Sequence, residues 1–180
     1  MVSKTIHLKI KYSVIKITTQ IRENNFIISL LILFSLFIAF YLVWTPLYYI
    51  IGEQYELIFM PTPNETIMQQ PFVEQILATV ILGPIIETLL SQKWLYSLLS
   101  LINRLKGNKI WIVIIGGIIF GLLHFYSLSY IVYNIFMGIL FMSAYILRKG
   151  ENPYWTVTAL YALTNLFVLI IDPIEKMVFG

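Results

Sequence analysis

The sequence predicts an all-α membrane protein, a polytopic bundle of about five transmembrane helices. Of its 180 residues, 59% are hydrophobic and 12% are charged, whereas soluble domains contain about 45–50% apolar residues. The apolar residues form runs of about 20 separated by charged turns, which is the length of a membrane-spanning helix and not the short alternating pattern of a barrel strand. We therefore expect one transmembrane helical domain over residues 26–180, preceded by an N-terminal segment over residues 1–25.

The first 25 residues combine positive charge with a helical hydrophobic period. This segment contains five Lys or Arg residues and a single acidic residue, Glu23. The apolar positions at helical spacing are Ile6, Ile10, Val14, Ile17 and Ile21. This pattern is typical of a basic amphipathic helix on a membrane surface, although a disordered basic leader that only sets orientation fits the same residues.

Five apolar runs follow, joined by turns of contrasting charge. The predicted helices are 26–51, 72–101, 110–125, 128–147 and 154–171, the last followed by a short tail. Pro46 should kink the first of them. The connection over residues 52–70 contains acidic residues and no Lys or Arg, whereas the connections at 104–109 and 148–149 are basic.

The positions of Lys and Arg predict the orientation in the membrane. The N-terminal segment and the two basic turns fall on one side of an alternating five-span topology, and Lys176 falls on the other. An excess of Lys and Arg marks the cytoplasmic side, so the N-terminus should be cytoplasmic and the C-terminus external. The partners expected from this composition are membrane lipids, and no basic groove interleaved with aromatic residues indicates nucleic acid binding. Without cysteine there is no thiolate nucleophile or thiolate metal ligand.

Glu87 lies in the middle of the second predicted helix, where a carboxylate is costly. An ionisable group at this depth costs about 3 kcal/mol or more unless it faces a partner or a wet cavity, which makes it a functional candidate. Gly83 and Ser91 lie one turn to either side on the same face, and Thr88 and Gln92 form a neighbouring pair. The alternative is that Glu87 is protonated and only links helices by a hydrogen bond.

Polar residues on the later helices complete a mid-membrane set. Gly117 and Gly121 form a pair that lets another helix approach closely, and His124 continues the same face. The polar and aromatic stripes of the last two helices are Tyr130, Asn134, Gly138, Phe141 and Tyr145, and Thr158, Tyr161, Asn165 and Asp172. Asn165 can donate to an oxyanion, but a hydrogen bond between helices is its commoner role. His124 can likewise be a core residue whose ring nitrogens are hydrogen-bonded within the bundle.

Glu87, His124, Tyr161 and Asn165 together have the chemistry of a water-activating hydrolytic site. Such a site needs a base, a polarising group and donors for the developing oxyanion. A catalytic zinc is less well supported, because it usually takes three protein ligands and this interior offers His124 and Glu87. Whether a divalent metal takes part is left open by the sequence.

These residues resemble the motifs of the CPBP family of intramembrane proteases, also called the Abi or CAAX-protease family, over about residues 70–170. The family's Glu-Glu-x-x-x-Arg motif appears here as Glu87-Thr88-Leu89-Leu90-Ser91-Gln92. Its Phe-x-x-x-His motif is intact from Phe120 to His124, and its His-x-x-x-Asn motif appears from Tyr161 to Asn165. The resemblance implies that Glu87 activates water, that His124 assists, and that Asn165 helps to bind the oxyanion.

Three positions depart from the family pattern. Thr88 replaces the second Glu and Gln92 replaces the Arg, one helical turn apart, where a hydrogen-bonded neutral pair would keep the charge balance of an ion pair. Tyr161 replaces the second His, and a phenol donates a hydrogen bond but is a poor base or metal ligand. Phe120 is expected to pack.

We therefore expect a divergent, glutamate-dependent intramembrane endopeptidase in the plasma membrane of a prokaryotic cell, acting on a peptide or a transmembrane-helix substrate. The alternative is a catalytically inactive relative that serves as a membrane binding, immunity or accessory protein. A small transporter is a third possible interpretation. The sequence does not contain the repeated pair of broken helices that is typical of such proteins.

Overall fold

The computed structural model describes residues 2–52, 56–60, 67 and 69–179, and confirms an all-α bundle. Its main helices are α1 (Val2–Glu23), α2 (Phe26–Leu47), α3 (Phe72–Leu101), α4 (Lys109–Leu123), α5 (Leu128–Leu147) and α6 (Pro153–Phe179). A short helical turn, Asn103–Lys106, joins α3 to α4. Much of the predicted acidic connection, including Glu53 and Glu65, lies outside the described residues.

The N-terminal basic segment is a helix and not a disordered leader. Only its last turns pack on the bundle: Ile21 is buried in the main core cluster and Ile17 packs against that cluster. Further toward the N-terminus, Ile10 and Val14 are exposed. An apolar face that the bundle leaves uncovered fits the predicted position on a membrane surface, which remains a prediction.

Arg148 ties α1 to the basic end of the bundle. Its guanidinium is 3% exposed and donates hydrogen bonds to the carbonyl oxygens of Ile21 (3.2 Å) and Asn24 (2.7 Å) and to Ser29 Oγ (3.2 Å). Carbonyls at the end of a helix lack helical partners, so the guanidinium caps α1. The end of α1 and the basic turn after α5 therefore lie at the same end of the bundle.

Among the residues that the structure describes, four helices are long and apolar enough to cross a membrane. The spans are Phe26–Ile50, Phe72–Leu101, Leu128–Leu147 and Pro153–Glu175. Helix α4 has 15 residues, a length of about 22 Å, which is less than the bilayer core of about 30 Å. Helix α4 therefore agrees with the predicted helix over residues 110–125 to within two residues, but it is too short to cross the bilayer core as a straight helix. The chain leaves the helix at His124, whose N–H reaches the Gly121 carbonyl (3.0 Å) in a tighter turn.

Helices α2 and α6 both continue through a proline, α2 as predicted and α6 beyond its predicted end at residue 171. Helix α2 continues through Pro46 and closes in a wide π-helical turn, Tyr48–Gly52. Helix α6 continues through Pro173 to Phe179, so the described part of the predicted tail is helical.

Glycines bring α4 and α5 into close contact, as the sequence predicted. A Cβ on Gly117 would lie 3.0 Å from the Ile135 carbonyl oxygen, and one on Gly121 would lie 2.8 Å from the Ile131 carbonyl oxygen. The two helices run antiparallel and share the most extensive contact in the bundle. This contact positions His124, which directly follows α4.

Candidate active site

A cavity of about 350 Å³ lies in the half of the bundle away from the basic turns. Its lining residues come mainly from the second half of α2 and the turn after it, the first half of α3, the turn between α4 and α5, the first part of α5, and residues 161–175 of α6. They include Glu87, His124, Tyr161 and Asn165. The four residues predicted to be catalytic therefore share one cavity, although they come from three separate parts of the chain.

The Glu87 carboxylate is the centre of this group. Tyr161 donates its hydroxyl hydrogen to Glu87 Oε2 at 2.6 Å, and His124 Nε2 lies 3.4 Å from the same oxygen. The other oxygen, Oε1, extends toward Gly83, where a Cβ would stand 3.6 Å away. Among the described residues no hydrogen bond is made to Oε1, and the Glu87 side chain is 38% exposed and lines the cavity.

The His124 ring has a defined orientation. Its Nδ1 lies 2.8 Å from the Phe120 carbonyl oxygen, which can only accept, so Nδ1 carries a hydrogen and Nε2 faces Glu87. The Phe120 ring is fully buried and makes edge contacts with the rings of Phe141 (5.8 Å) and Tyr161 (5.9 Å). Phe120 thus packs as predicted, and its backbone also orients the histidine.

Asn165 satisfies a carbonyl that Pro84 leaves without a partner. The Thr79 carbonyl would ordinarily accept from the N–H of residue 83 or, in a π-helical turn, from that of residue 84. The Gly83 N–H instead binds the Ala78 carbonyl, and Pro84 has no N–H. Asn165 Nδ2 donates to the Thr79 carbonyl at 2.7 Å. One amide hydrogen of Asn165 therefore joins α6 to α3, and a second remains for other use.

Helix α3 is wound unevenly around the glutamate. Two π-helical stretches, Ile76–Leu82 and Leu89–Trp94, flank the α-helical Gly83–Thr88. Such local widening is frequent at functional sites because it redirects side chains within a helix. It places Glu87 in the cavity wall.

Thr88 and Gln92 do not lie in the cavity wall and do not form the neutral pair expected from the sequence. Both side chains are almost completely buried, at 0% and 1% exposure. Thr88 Oγ1 and Gln92 Oε1 have no hydrogen-bond partner, so the hydrogen bond between them is not made. Among the described residues these two buried polar atoms are left unsatisfied beside the site, which is a destabilising arrangement.

Some residues of the cavity wall could not be foreseen. Tyr130, Asn134, Phe141 and Asp172 belong to the stripes noted in the sequence and do line the cavity, whereas Gly138 packs on Gly117 instead. The members that the sequence did not indicate include Tyr41, Trp44, Thr79 and Glu175. The α2 residues stand in a uniformly apolar run, and Thr79 contributes to the site through its backbone, which no side-chain pattern reveals.

The donor set does not match a three-ligand metal site. Glu87 and His124 are the two metal-binding side chains at the centre of the cavity, and within the described ranges no group of three His, Cys, Asp or Glu residues could hold a metal ion. Catalytic zinc usually takes three protein ligands, so the residues placed here do not fit that arrangement.

Comparison with known proteins identifies the family to which this chain belongs. A family model described as Type II CAAX prenyl endopeptidase Rce1-like matches residues 69–167, more than half of the 180-residue chain. Neither the curated proteins nor the solved structures gave a match. The matched region contains Glu87, His124, Tyr161 and Asn165, and confirms the resemblance to CPBP proteases that these residues indicated. The chain is an integral membrane protein that belongs to the Rce1-like family of type II CAAX prenyl endopeptidases.

Proposed function

We propose that this protein is an intramembrane endopeptidase in which Glu87 activates the attacking water. The observation that carries the proposal is the convergence of Tyr161 and His124 on one oxygen of the Glu87 carboxylate, within a single cavity. A carboxylate that is oriented by one donor and still has an open oxygen is suited to general-base catalysis.

The cleavage step follows from the positions of these groups. Glu87 Oε1 accepts a proton from water while His124 Nε2 accepts the second O–H, and the water oxygen adds to the peptide carbonyl carbon. The second amide hydrogen of Asn165 supports the developing oxyanion. The proton held by Glu87 then passes to the leaving amine as the C–N bond breaks, and the carboxylate is regenerated. Tyr161 holds the carboxylate in place through Oε2.

The cavity favours a peptide segment presented at membrane depth. Its volume of about 350 Å³ falls within the range of about 300–1,000 Å³ for small-ligand sites, enough for a few residues of extended chain. Aromatic side chains dominate the wall, including Tyr41, Trp44, Tyr130 and Tyr133. The family description makes prenylated CAAX peptides the first substrates to test.

We further propose that the basic end of the bundle faces the cytoplasm of a prokaryotic cell. Arg22, Lys106, Lys109 and Arg148 belong to this end, whereas Asp172 and Glu175 lie at the cavity end. The positive-inside bias then places the mouth of the cavity toward the external side.

The proposal is tested by Glu87→Gln in purified protein supplied with peptide substrates. Glutamine keeps the size and hydrogen bonding of the side chain but cannot accept the proton, so we expect hydrolysis to fall by about 10²- to 10⁴-fold with little change in thermal unfolding. Glu74→Gln is the matched control, because Glu74 lies on the same helix, exposed and outside the cavity, and it should keep full activity.

Two results would contradict the proposal. Equal hydrolysis by wild type and Glu87→Gln would show that Glu87 is not the base. Hydrolysis of no peptide in a broad library by wild type would favour the inactive relative, in which Glu87 only joins helices.

A further inference from the structure

A second concave site lies at the basic end of the bundle, away from the catalytic cavity. It is a groove of about 530 Å³ between the end of α1, the start of α4 and the end of α5. Its lining residues are Thr18, Arg22, Lys109, Ile110, Val113, Ser143, Ile146, Leu147 and Lys149. We propose that this groove binds an anionic phospholipid, with the headgroup phosphate among the three cations and an acyl chain along the apolar wall.

The three cations come from separate parts of the chain. Arg22 lies in the last turn of α1, Lys109 begins α4, and Lys149 follows α5. Within the part of the chain that the structure describes, none of them forms an ion pair, and the adjacent Glu151 is paired with Arg148 at 2.8 Å. Converging like charges repel, and a phosphate between them would replace that repulsion with charge-assisted hydrogen bonds.

Lys149 is held in place within this group. Its ammonium donates to Tyr96 Oη at 3.0 Å and lies 4.8 Å from the centre of the same ring. A neutral phenol leaves the positive charge uncompensated and restricts the side chain, so less conformational entropy is lost when an anion binds.

The apolar wall distinguishes a lipid from a free anion. Ile110, Val113, Ile146 and Leu147 line the groove together with the cations, and inorganic phosphate would gain nothing from these side chains. Basic pockets between transmembrane helices on the cytoplasmic side are suited to acidic lipid headgroups, which are abundant in that leaflet. The groove shares no lining residue with the catalytic cavity.

The test compares lipids on the full chain purified in detergent. The midpoint of thermal unfolding is measured against added phosphatidylglycerol and against phosphatidylcholine with the same acyl chains, since a ligand of the folded state raises the midpoint increasingly as its concentration exceeds its Kd. We expect phosphatidylglycerol to raise it at concentrations where phosphatidylcholine does not.

The groove is then examined with charge-matched variants. The triple variant Arg22→Gln, Lys109→Gln and Lys149→Gln should weaken apparent phosphatidylglycerol binding on the order of a hundredfold. Each cation is expected to contribute about fivefold to this affinity, and the three factors multiply. The control, Lys93→Gln, Arg104→Gln and Lys106→Gln, removes the same charge from residues near the same end that do not line the groove, and should lose less than about fivefold. If the groove triple does not fold, Lys109→Gln alone should weaken binding about fivefold.

Three outcomes would overturn the assignment. Equal weakening in both triple variants would show attraction to a charged surface without a site. Equal stabilisation by the two lipids would show that the headgroup is not recognised. Full reproduction of the shift by inorganic phosphate or glycerol phosphate would identify a site for free anions instead of a lipid site.

Discussion

At the scale of single residues, Tyr161 is the departure with the most chemical meaning. Its hydroxyl donates a hydrogen bond to Glu87 Oε2 at 2.6 Å. The resemblance to the family motif implies a histidine imidazole at this position. A phenol can orient the carboxylate as a donor, but it does not exchange protons near neutral pH as an imidazole does. A tyrosine at this position can therefore orient the Glu87 carboxylate, but it adds no second proton carrier to the site.

We predict that Tyr161→His raises peptide hydrolysis when Glu87 is present. The imidazole restores a group that can both accept and donate a proton at this position. Turnover is compared in Tyr161→His and in the same variant carrying Glu87→Gln. A gain that persists without the Glu87 carboxylate would show that Glu87 is not the base.

Thr88 and Gln92 allow a residue-level test of stability. Thr88→Glu places an unpaired charge at a site with 0% exposure, which should destabilise the bundle by about 3–5 kcal/mol, and adding Gln92→Arg should recover much of that loss. Thermal unfolding in detergent measures the coupling in a double-mutant cycle. Thr88→Val is the size-matched control and should be nearly neutral, because Oγ1 has no partner to lose. Absence of coupling between positions 88 and 92 would show that an ion pair does not form between these two positions.

At the scale of helices, the contact between α4 and α5 governs the position of His124. Gly121 and Gly116 both lie in this contact, but a side chain added at each would meet different kinds of atoms. Backbone atoms of α5 surround Gly121, whereas the flexible end of Met142 is what a Cβ on Gly116 would meet, at 2.7 Å from Cε. Backbone cannot move aside without shifting a helix, but a methionine can adopt another rotamer.

We therefore predict different costs for two alanine substitutions on α4. Gly121→Ala should destabilise the protein by about 1–3 kcal/mol and reduce hydrolysis further, because separation of α4 from α5 moves His124. Gly116→Ala should be tolerated in both measurements. Thermal unfolding and turnover are compared, and equal effects of the two substitutions would exclude this role of the helix contact.

At the scale of the whole molecule, the cluster of basic residues and the candidate active site lie toward opposite ends of the bundle. Arg148 binds the end of α1 at the basic end, and the candidate active-site cavity lies toward the other end with Asp172 and Glu175 in its wall. Helix α4, although short, returns the chain across the bundle because it packs antiparallel to α5. The five alternating segments expected from the sequence are thus retained with four full spans.

The orientation can be measured directly because the chain contains no cysteine. We predict that Gly107→Cys is labelled only from the cytoplasmic side and Glu74→Cys only from the external side. A Cβ on Gly107 meets nothing within 4 Å, and Glu74 is exposed, so both substitutions should be harmless. Labelling of position 74 from the cytoplasm alone would reverse the proposed orientation.

The sequence by itself determined the class of fold, most helix positions and four of the residues that share the cavity. Apolar runs of bilayer length can satisfy their backbone polar groups only as helices, which is why α3 and α5 appear over the residues predicted. The cost of a carboxylate at membrane depth singled out Glu87, and helical spacing identified Gly117, Gly121 and His124. These are local properties, visible one helix at a time.

The tertiary structure alone decided how those residues meet. Whether Tyr161 or His124 would reach Glu87, and through which oxygen, depends on the rotation and depth of α4 and α6 against α3. The bond from Asn165 to Thr79 and the unpaired oxygens of Thr88 and Gln92 depend on the π-helical winding around Pro84. Contacts between helices distant in the chain are set by the packing of the whole bundle, and the spacing of residues along one helix does not contain that information.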